Sequence, residues 1–333
     1  MGRQAGNKKA GMLGIVLAFC VFLTASGSGA ADPADMTQGE KNSADTTITI
    51  FALKVATERM TGDTSYAIGA PFSYPDGSTA QGYFPLSELE WPLDVWLVKL
   101  STGLAIGEKW RVNVLVKTEI SDPDDAMTDR DWFTAADQGQ LDVYSKTAIS
   151  DFSAFILDLD VEWTFWQHKF WSVHTGVGYQ YQKFSYEGQL LYQYSPSGIP
   201  GYEYVGTGAV TTTYKMTYSM PYLLLGTEFQ LSPDLTLAGR VAYSPLVTAE
   251  DEDHHLLRKR LAEGDMDGDA YMLELSGSYK LTPAWFIEGG LQYTRISVDG
   301  DMKISMYGLH LLTETEEADS NQTSGYLSVG YIF

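Results

Sequence analysis

From Thr47 to the C-terminus the sequence alternates apolar and polar residues with a period of two. In the segment 87–100, for example, Leu89, Trp91 and Leu93 share one face, and the positions between them are mainly acidic or polar. This period is that of a β-strand and differs from the 3.6-residue period of an amphipathic helix. The chain is therefore predicted to be all-β.

Ten segments carry the alternation, and several exceed the average strand length of about five to six residues. They are 47–61, 87–100, 109–121, 151–165, 169–186, 213–230, 235–249, 270–281, 284–298 and 323–333. Short turns and long polar loops alternate between them, with both termini on the short-turn side. This arrangement is typical of bacterial outer-membrane barrels. We therefore predict that residues 47–333 form a ten-stranded antiparallel transmembrane β-barrel with long extracellular loops and short periplasmic turns.

The aromatic residues support a membrane location. The chain has 21 Tyr and 8 Trp, many of them at the ends of predicted strands, as in the girdles at membrane interfaces. The last strand ends in an aromatic residue, Phe333, which resembles the C-terminal signature of outer-membrane proteins. A soluble β-sandwich or barrel stays the alternative, because alternation alone does not show whether the apolar face meets lipid or a protein core.

The N-terminal region has the features of a secretory signal peptide. Residues 1–31 contain three basic residues, an apolar stretch and small residues before a cleavage site, and a short polar segment, 32–46, follows. The single cysteine, Cys20, lies in this signal, so the mature chain is expected to have no disulfide or thiolate site. Cleavage changes the formal net charge from −21 to −24, which argues against nucleic acid as a partner and favours cationic peptides.

Two polar clusters lie in the predicted extracellular loops. Asp129 and Asp131 belong to the second long loop, and Asp251, Asp253 and His255 belong to the fourth. In each cluster the spacing of two turns the side chains to one face of an extended segment. On a ring of ten strands the two loops are nearly opposite. The clusters are therefore expected to face each other across the barrel mouth.

These residue types suit hydrolysis by an activated water. A neutral imidazole can take a proton from water, and a neighbouring carboxylate stabilises the imidazolium. A second carboxylate pair can hold the water and share a proton. His255 is favoured as the base because it lies two positions from Asp253, but the adjacent His254 stays open. Taken alone, each cluster could also be a solvated acidic loop.

Several motifs resemble those of the omptin family of outer-membrane endopeptidases. Asp-Arg-Asp-Trp at 129–132 resembles the family's Asp-x-Asp-Trp element, and Asp-Glu-Asp-His-His at 251–255 resembles the element that carries its Asp-His dyad. Further similar elements occur in the expected order at 87–91, 178–180 and 219–222. The likeness covers about residues 47–333.

The resemblance implies a function and roles for the clusters. It implies an aspartic-type endopeptidase, without a metal, that cleaves next to or between basic residues. In this scheme Asp253 orients His255 as the general base, Asp129 and Asp131 form the opposing couple, and the attacking water lies between them. The active site would face the cell exterior.

The resemblance also implies substrate-binding residues. Asp63 and Asp251 would bind a basic side chain, and Asp142 would serve the pocket on the other side of the scissile bond; the family residue that matches Asp63 is a glutamate. Independently of the family, paired carboxylates in a partly desolvated cleft favour Arg over Lys, because a guanidinium makes bidentate hydrogen bonds.

Family members require lipopolysaccharide, which they bind on the outer barrel wall. The matching positions hold Tyr179 and Lys183, but Tyr181 replaces an acid and Thr217 replaces an arginine. No other cofactor is expected, and a requirement for lipopolysaccharide stays open because its site is only partly matched. The protein is expected to be a monomer in contact with outer-membrane lipid.

Two other functions stay open. The first is a catalytically inactive omptin-like barrel that acts as an adhesin or structural protein, and the second is a small pore. A ten-stranded barrel has an interior largely filled by side chains, which argues against a wide channel. Seven charged residues are predicted to face this interior: Glu90, Asp94, Lys117, Asp158, Asp160, Glu162 and Arg240.

Overall fold

The structure, a computed structural model, describes residues 48–134 and 139–333. The predicted signal peptide, 1–31, and the polar segment, 32–46, lie outside the described residues. Regular secondary structure in the described part of the chain is β throughout. This part contains no helix that is long and apolar enough to cross a membrane.

The described residues form one antiparallel sheet of 14 strands. The strands are β1 (Ile48–Ser73), β2 (Thr79–Ala80), β3 (Ser87–Pro92), β4 (Val95–Ile106), β5 (Trp110–Glu119), β6 (Met127–Asp131), β7 (Val143–His168), β8 (Trp171–Tyr194), β9 (Tyr204–Val205), β10 (Thr212–Gln230), β11 (Leu235–His255), β12 (Arg260–Lys280), β13 (Trp285–Met306) and β14 (Leu309–Ile332). The prediction of an all-β antiparallel fold is confirmed.

Strand pairing closes the sheet into a barrel. The pairs run from β1 through β4, β5, β7, β8, β10, β11, β12, β13 and β14. Pairing of β14 with β1, from Ala52↔Ile332 to Ser73↔Thr313, completes the ring. On the long-loop side, β3 and β6 take the places of β4 and β5 between β1 and β7. Closure leaves the main ring without a free strand edge.

The outer wall has an apolar band between two aromatic rows. Leucine and valine side chains of this band are exposed, among them Leu225, Val241, Leu273 and Leu291. The row on the long-loop side includes Tyr179, Tyr243, Tyr271 and Tyr293, and the row on the short-turn side includes Trp110, Trp163, Trp171 and Trp285. This is the surface of a membrane-spanning barrel with interfacial girdles.

Strands extend beyond their predicted ends on the long-loop side, and this corrects the loop assignment. Most residues of 250–269 and 299–322 belong to β11, β12, β13 and β14. Above the aromatic row the outer face meets water, so polar residues occupy both faces and hide the alternation. As a consequence, the two polar clusters lie on strands β6 and β11 rather than in loops.

A layer of aromatic side chains fills the barrel interior at the level of β3. Trp91 is fully buried, and its ring stacks on that of Tyr214 with centroids 4.8 Å apart. The Tyr66 ring stacks on Tyr214 as well, with centroids 5.4 Å apart. Tyr186 packs against Trp91 at 5.1 Å. On the short-turn side of this layer lies a polar cavity of about 430 Å³. The aromatic layer separates this cavity from the extracellular cleft, which argues against a continuous pore.

Five of the seven predicted interior charges line this cavity: Lys117, Asp158, Asp160, Glu162 and Arg240. The Arg240 guanidinium contacts Asp160 at 2.9 Å. The prediction is wrong for Glu90 and Asp94, which lie on the outer face and contact Arg130 and Arg59. The inward positions of this stretch are occupied by the buried apolar residues Leu89, Trp91 and Leu93.

Candidate active site

The end of β11 brings Asp253 and His255 together on the inner wall. His255 Nε2 lies 2.9 Å from Asp253 Oδ2. Asp253 is fully buried, and the His255 side chain is 19% exposed, so the imidazole connects a buried carboxyl group to the open cleft. His254 lies between two inward residues of the same strand and therefore projects to the outer face.

Two further hydroxyl groups hold Asp253. Tyr66 donates a hydrogen bond to Oδ2 at 2.5 Å, and Thr212 donates one to Oδ1 at 3.1 Å. Burial by itself would raise the pKa of Asp253, but the charge of His255 and the hydrogen bonds from His255 and Tyr66 outweigh it and hold the pKa at about 2. Asp253 is therefore ionised, and an imidazole that donates from Nε2 keeps its lone pair on Nδ1.

Sequence reasoning missed Tyr66 and Thr212. The first predicted strand ends at residue 61, before Tyr66, whereas the structure has Tyr66 on β1; Thr212 is the first residue of β10. A signal for Tyr66 existed, because Thr64, Tyr66 and Ile68 continue the inward alternation of β1 and are all buried. Following this alternation past residue 61 would have placed the tyrosine inside the barrel.

The first cluster lies on β6, between β3 and β7. Asp129 pairs with Leu89 on one side and Ser145 on the other, both of which are buried. The hydroxyls of Ser87 and Ser145 each lie 3.4 Å from an Asp129 oxygen. Burial, followed by the charge of Asp131, raises the pKa of Asp129 to about 7. The couple therefore retains a proton close to neutral pH.

The two clusters interact electrostatically across the cleft. The charge of His255 lowers the pKa of Asp129, and the charge of Asp253 raises the pKa of Asp129. Burial raises the pKa of Asp131, and the charges of Arg258 and His255 act against this rise. Because such effects weaken with distance, the four residues surround one common space. The structure thus brings together Asp129, Asp131, Asp253 and His255.

Asp251 lies on the inner wall, two residues before Asp253. Its side chain is buried, and Oδ1 accepts a hydrogen bond from the backbone N–H of Gly264 at 2.9 Å. Burial raises the pKa of Asp251 to about 7, and the charge of Asp253 adds to the rise. Two glutamates that sequence reasoning missed, Glu314 and Glu316 on β14, are buried on the same inner wall.

Asp63 lies on the outer face of β1, away from this cleft. It pairs in register with Asn321, whose side-chain Oδ1 accepts a hydrogen bond from the hydroxyl of the exposed Tyr293 at 3.4 Å. Burial, then the charges of Glu90 and Asp319 on the same face, raise the pKa of Asp63. The inward positions next to it belong to Thr64 and Tyr66. The structure does not bring Asp63 together with Asp251, and this corrects the predicted shared pocket.

Asp142 stabilises the chain that follows β6. Its Oδ2 accepts hydrogen bonds from the backbone N–H groups of Phe133 and Thr134, both at 2.7 Å. Its own N–H donates to the carbonyl oxygen of Asp131 at 2.9 Å. These contacts connect Asp142 to the backbone around Asp129 and Asp131, and the structure gives it a supporting position beside the cleft.

Within residues 48–134 and 139–333, no group of three or more His, Cys, Asp or Glu residues is arranged to hold a metal ion. The cleft is instead lined by carboxyl groups, hydroxyl groups and one imidazole. This donor set can hold and deprotonate a water and can stabilise a cation. Both tasks belong to the hydrolysis of a cationic polypeptide.

Residues 78–332 match the omptin family. The protein belongs to the omptin family. Among solved structures this omptin is similar to the outer membrane protease OmpT from Escherichia coli, with 17% identity, a TM-score of 0.68, and coverage of 86% of this chain and 98% of that chain. It is also similar to the outer membrane protein OprG from Pseudomonas aeruginosa, with 12% identity, a TM-score of 0.38, and coverage of 85% and 95%. No curated protein matches the sequence.

Family membership confirms the resemblance found in the sequence motifs. The fold shared with OmpT confirms the predicted antiparallel barrel. The protein is accordingly an omptin-family β-barrel, located in the outer membrane.

Proposed function

We propose that this omptin is an endopeptidase that cleaves polypeptides next to or between basic residues, using a water activated between Asp253–His255 and Asp129–Asp131. One observation carries the proposal: His255 is bonded to a buried, ionised Asp253 and faces a carboxyl couple that retains a proton near neutral pH. A general base and a general acid are thereby available on opposite sides of one space.

Attack begins at His255. Nδ1 takes a proton from the water as its oxygen adds to the scissile carbonyl carbon, and the charge of Asp253 stabilises the imidazolium. The Tyr66 hydroxyl holds the same carboxylate and keeps it oriented. When the tetrahedral species collapses, the imidazolium returns its proton to the leaving amine, and the C–N bond breaks.

The Asp129–Asp131 couple acts on the other side of the water. Its ionised carboxylate accepts a hydrogen bond from the water and positions it. Its protonated carboxyl group donates a hydrogen bond to the oxyanion that develops on the former carbonyl. This hydrogen bond stabilises the negative charge strongly because the site is partly desolvated. No serine nucleophile takes part, so Ser87 and Ser145 serve as hydrogen-bond donors to Asp129.

The preference for basic residues follows from the charge of the cleft. Asp251 is a buried acid next to the dyad. A substrate arginine brings a cation that stays charged at any working pH and matches carboxylates in bidentate fashion. Antimicrobial peptides and other cationic polypeptides at the cell surface have this chemistry.

For lipopolysaccharide we propose at most a weak dependence. On the outer wall Lys183 pairs with Thr217, and the Tyr179 hydroxyl contacts Ser219 at 3.0 Å. A single lysine at the family position offers fewer cationic contacts to a phosphate than a site that also contains an arginine.

Cleavage of a quenched peptide with an Arg-Arg pair tests the proposal. Refolded wild type should cleave it, and Asp253→Ala and His255→Ala should each reduce kcat by a factor on the order of 100 or more. His254→Ala is the matched control, because that side chain projects to the outer face. Equal rates for wild type and the His255 variant would refute the proposal. So would a wild-type rate on a peptide with both arginines replaced by alanine that equals the rate on the Arg-Arg peptide.

A further inference from the structure

A pair of buried carboxyl groups lies on the inner wall next to the dyad. Glu316 is fully buried, and its side-chain oxygens contact no partner among the described residues other than the carboxyl group of Asp251. Asp251 uses one oxygen to accept the Gly264 N–H, and its side chain also contacts Glu316 and the Tyr214 hydroxyl. Two buried carboxyl groups that face each other without a neighbouring cation are costly. They therefore indicate a ligand or a proton that satisfies them.

Gly264 allows these two groups to approach each other. A Cβ atom at this position would lie 2.0 Å from Glu316 Oε2 and 2.5 Å from Asp251 Oδ1. The two carboxyl oxygens thus border the same small space above the glycine. Two ionised carboxylates at such a separation repel each other strongly, so the space must contain a proton or a cation whenever both carboxyl groups are present.

The walls of this space are apolar. Met216 pairs with Asp251, Met302 pairs with Gly264, and both methionines are fully buried on the inner face. Methionine side chains adapt easily to a neighbouring group. An apolar wall that ends in carboxyl groups matches an arginine side chain, which has a methylene stem and a cationic head.

Other charged groups around the pair do not neutralise it. Arg260 of β12 lies 3.9 Å from Glu314 and so faces that glutamate. Asp253 of β11 is ionised and adds negative charge, Tyr214 of β10 is neutral, and β13 contributes the apolar Met302. Glu316 has no ion-pair partner among the described residues, and burial together with the charge of Asp251 holds its pKa well above the ordinary value.

We propose that Glu316 is a specificity-determining residue of this omptin, and that with Asp251 it binds the guanidinium of a substrate arginine. Without substrate, the two carboxyl groups share a proton; an entering guanidinium replaces that proton, which passes to solvent. Glu316 thereby takes the part that sequence reasoning gave to Asp63, which lies on the outer wall. The inference rests on the proposed function, because it concerns the same cleft.

Matched peptides test the assignment. One peptide carries arginine and the other citrulline, its neutral isostere. Cleavage of both peptides is measured for wild type, for Glu316→Gln and for the control Glu317→Gln. Glu317 is exposed on the same strand, so the control makes the same change of charge outside the barrel. We expect Glu316→Gln to lower kcat/KM for the arginine peptide by roughly 10-fold to 100-fold, mainly through KM, and to leave the citrulline peptide within about 3-fold. If the ratio of kcat/KM for the arginine peptide to kcat/KM for the citrulline peptide is the same in Glu316→Gln as in wild type, the proposal is overturned.

A binding measurement separates this inference from the proposed function. Calorimetry of folded wild type with n-butylguanidinium, in two buffers of different ionisation enthalpy at about pH 6, should give binding with proton release; n-butylurea should not bind. Glu316→Asp, which keeps the carboxyl group if Glu316→Gln fails to fold, should bind more weakly. Guanidinium binding without peptide cleavage would refute the proposed function alone. Cleavage with no guanidinium binding, or binding without proton release, would refute the role of Glu316.

Discussion

The hydroxyl of Tyr66 and Nε2 of His255 donate to the same oxygen of Asp253. The tyrosine comes from β1 and the Asp253–His255 pair from β11, so a contact between distant strands fixes the orientation of the Asp253 carboxylate. The Tyr66 ring is itself held by stacking on Tyr214. In the proposed mechanism Tyr66 is therefore a positioning residue, which acts on the reaction through Asp253.

Tyr66→Phe should lower kcat by about 10-fold, because a hydrogen bond to a charged group contributes roughly 1.5–3 kcal/mol. KM should change little, since the ring and its stacking are kept. Tyr218→Phe is the matched control: its hydroxyl contacts Thr64 in the same aromatic layer. Steady-state kinetics on one dibasic peptide compare the two variants, and a similar loss in both would show that Tyr66 acts only through packing.

Asp131→Asn should move the basic limb of the pH profile of kcat/KM to lower pH. Burial and the charge of Asp131 raise the pKa of Asp129 to about 7. Removing that charge makes ionisation of Asp129 easier, so its pKa falls and the proton that the couple donates is lost at lower pH. Rates between about pH 5 and pH 9 measure the shift. An unmoved basic limb would mean that this couple supplies no proton.

The buried carboxyl groups should make the folded barrel less stable as pH rises. The pKa values of Asp251 and Glu314 are raised to about 7 by burial, so the folded state binds more protons than the unfolded state. Their contribution to the free energy of unfolding is complete below the pKa of a carboxyl group in the unfolded chain, about 4, and is lost as pH rises to about 7. Guanidinium unfolding in detergent should show this fall. Glu316→Gln should make the decrease of stability with pH less steep. Stability that increases over this range would contradict the raised pKa values of the buried carboxyl groups.

Much of the fold is predictable because strand periodicity is a local property. The positions of turns, the alternation and the aromatic residues at strand ends are readable in the sequence, and together they predict the antiparallel barrel. The ends of the strands were missed where water replaces lipid on the outer face, since the apolar face that marks a strand is then no longer required. Residues 62–73 and 250–255 show this most clearly.

The candidate site was predictable in part for the same reason. The spacing within 129–131 and 251–255 fixes which side chains share a face, whatever the strand length. Tyr66 and Glu316 required knowledge of how distant strands are registered, which no local pattern contains. Asp63 was misplaced because a match of motif letters does not determine the face of a strand that a residue occupies.

Lipopolysaccharide should change the activity of the folded protein by less than about 3-fold. The reason is the outer wall at Lys183, where Thr217 and Tyr181 provide no second positive charge. Rates on a dibasic peptide in detergent, with and without added lipopolysaccharide, measure the effect. Thr217→Arg should create a stronger response, and Thr217→Ser is its control. Strong activation of wild type would contradict the prediction.

Gly264→Ala should impair the binding of arginine without harming the dyad. The added Cβ would lie 2.0 Å from Glu316 Oε2 and 2.5 Å from Asp251 Oδ1, so both carboxyl groups must move. KM for an arginine peptide should rise by about 10-fold, whereas kcat should stay within about 3-fold, because Asp253 and His255 keep their contacts. Gly277→Ala on the same strand is the control, since its Cβ meets only the side chain of Leu237 at 3.3 Å. Equal KM values for the two variants would show that the space above Gly264 is not used by substrate.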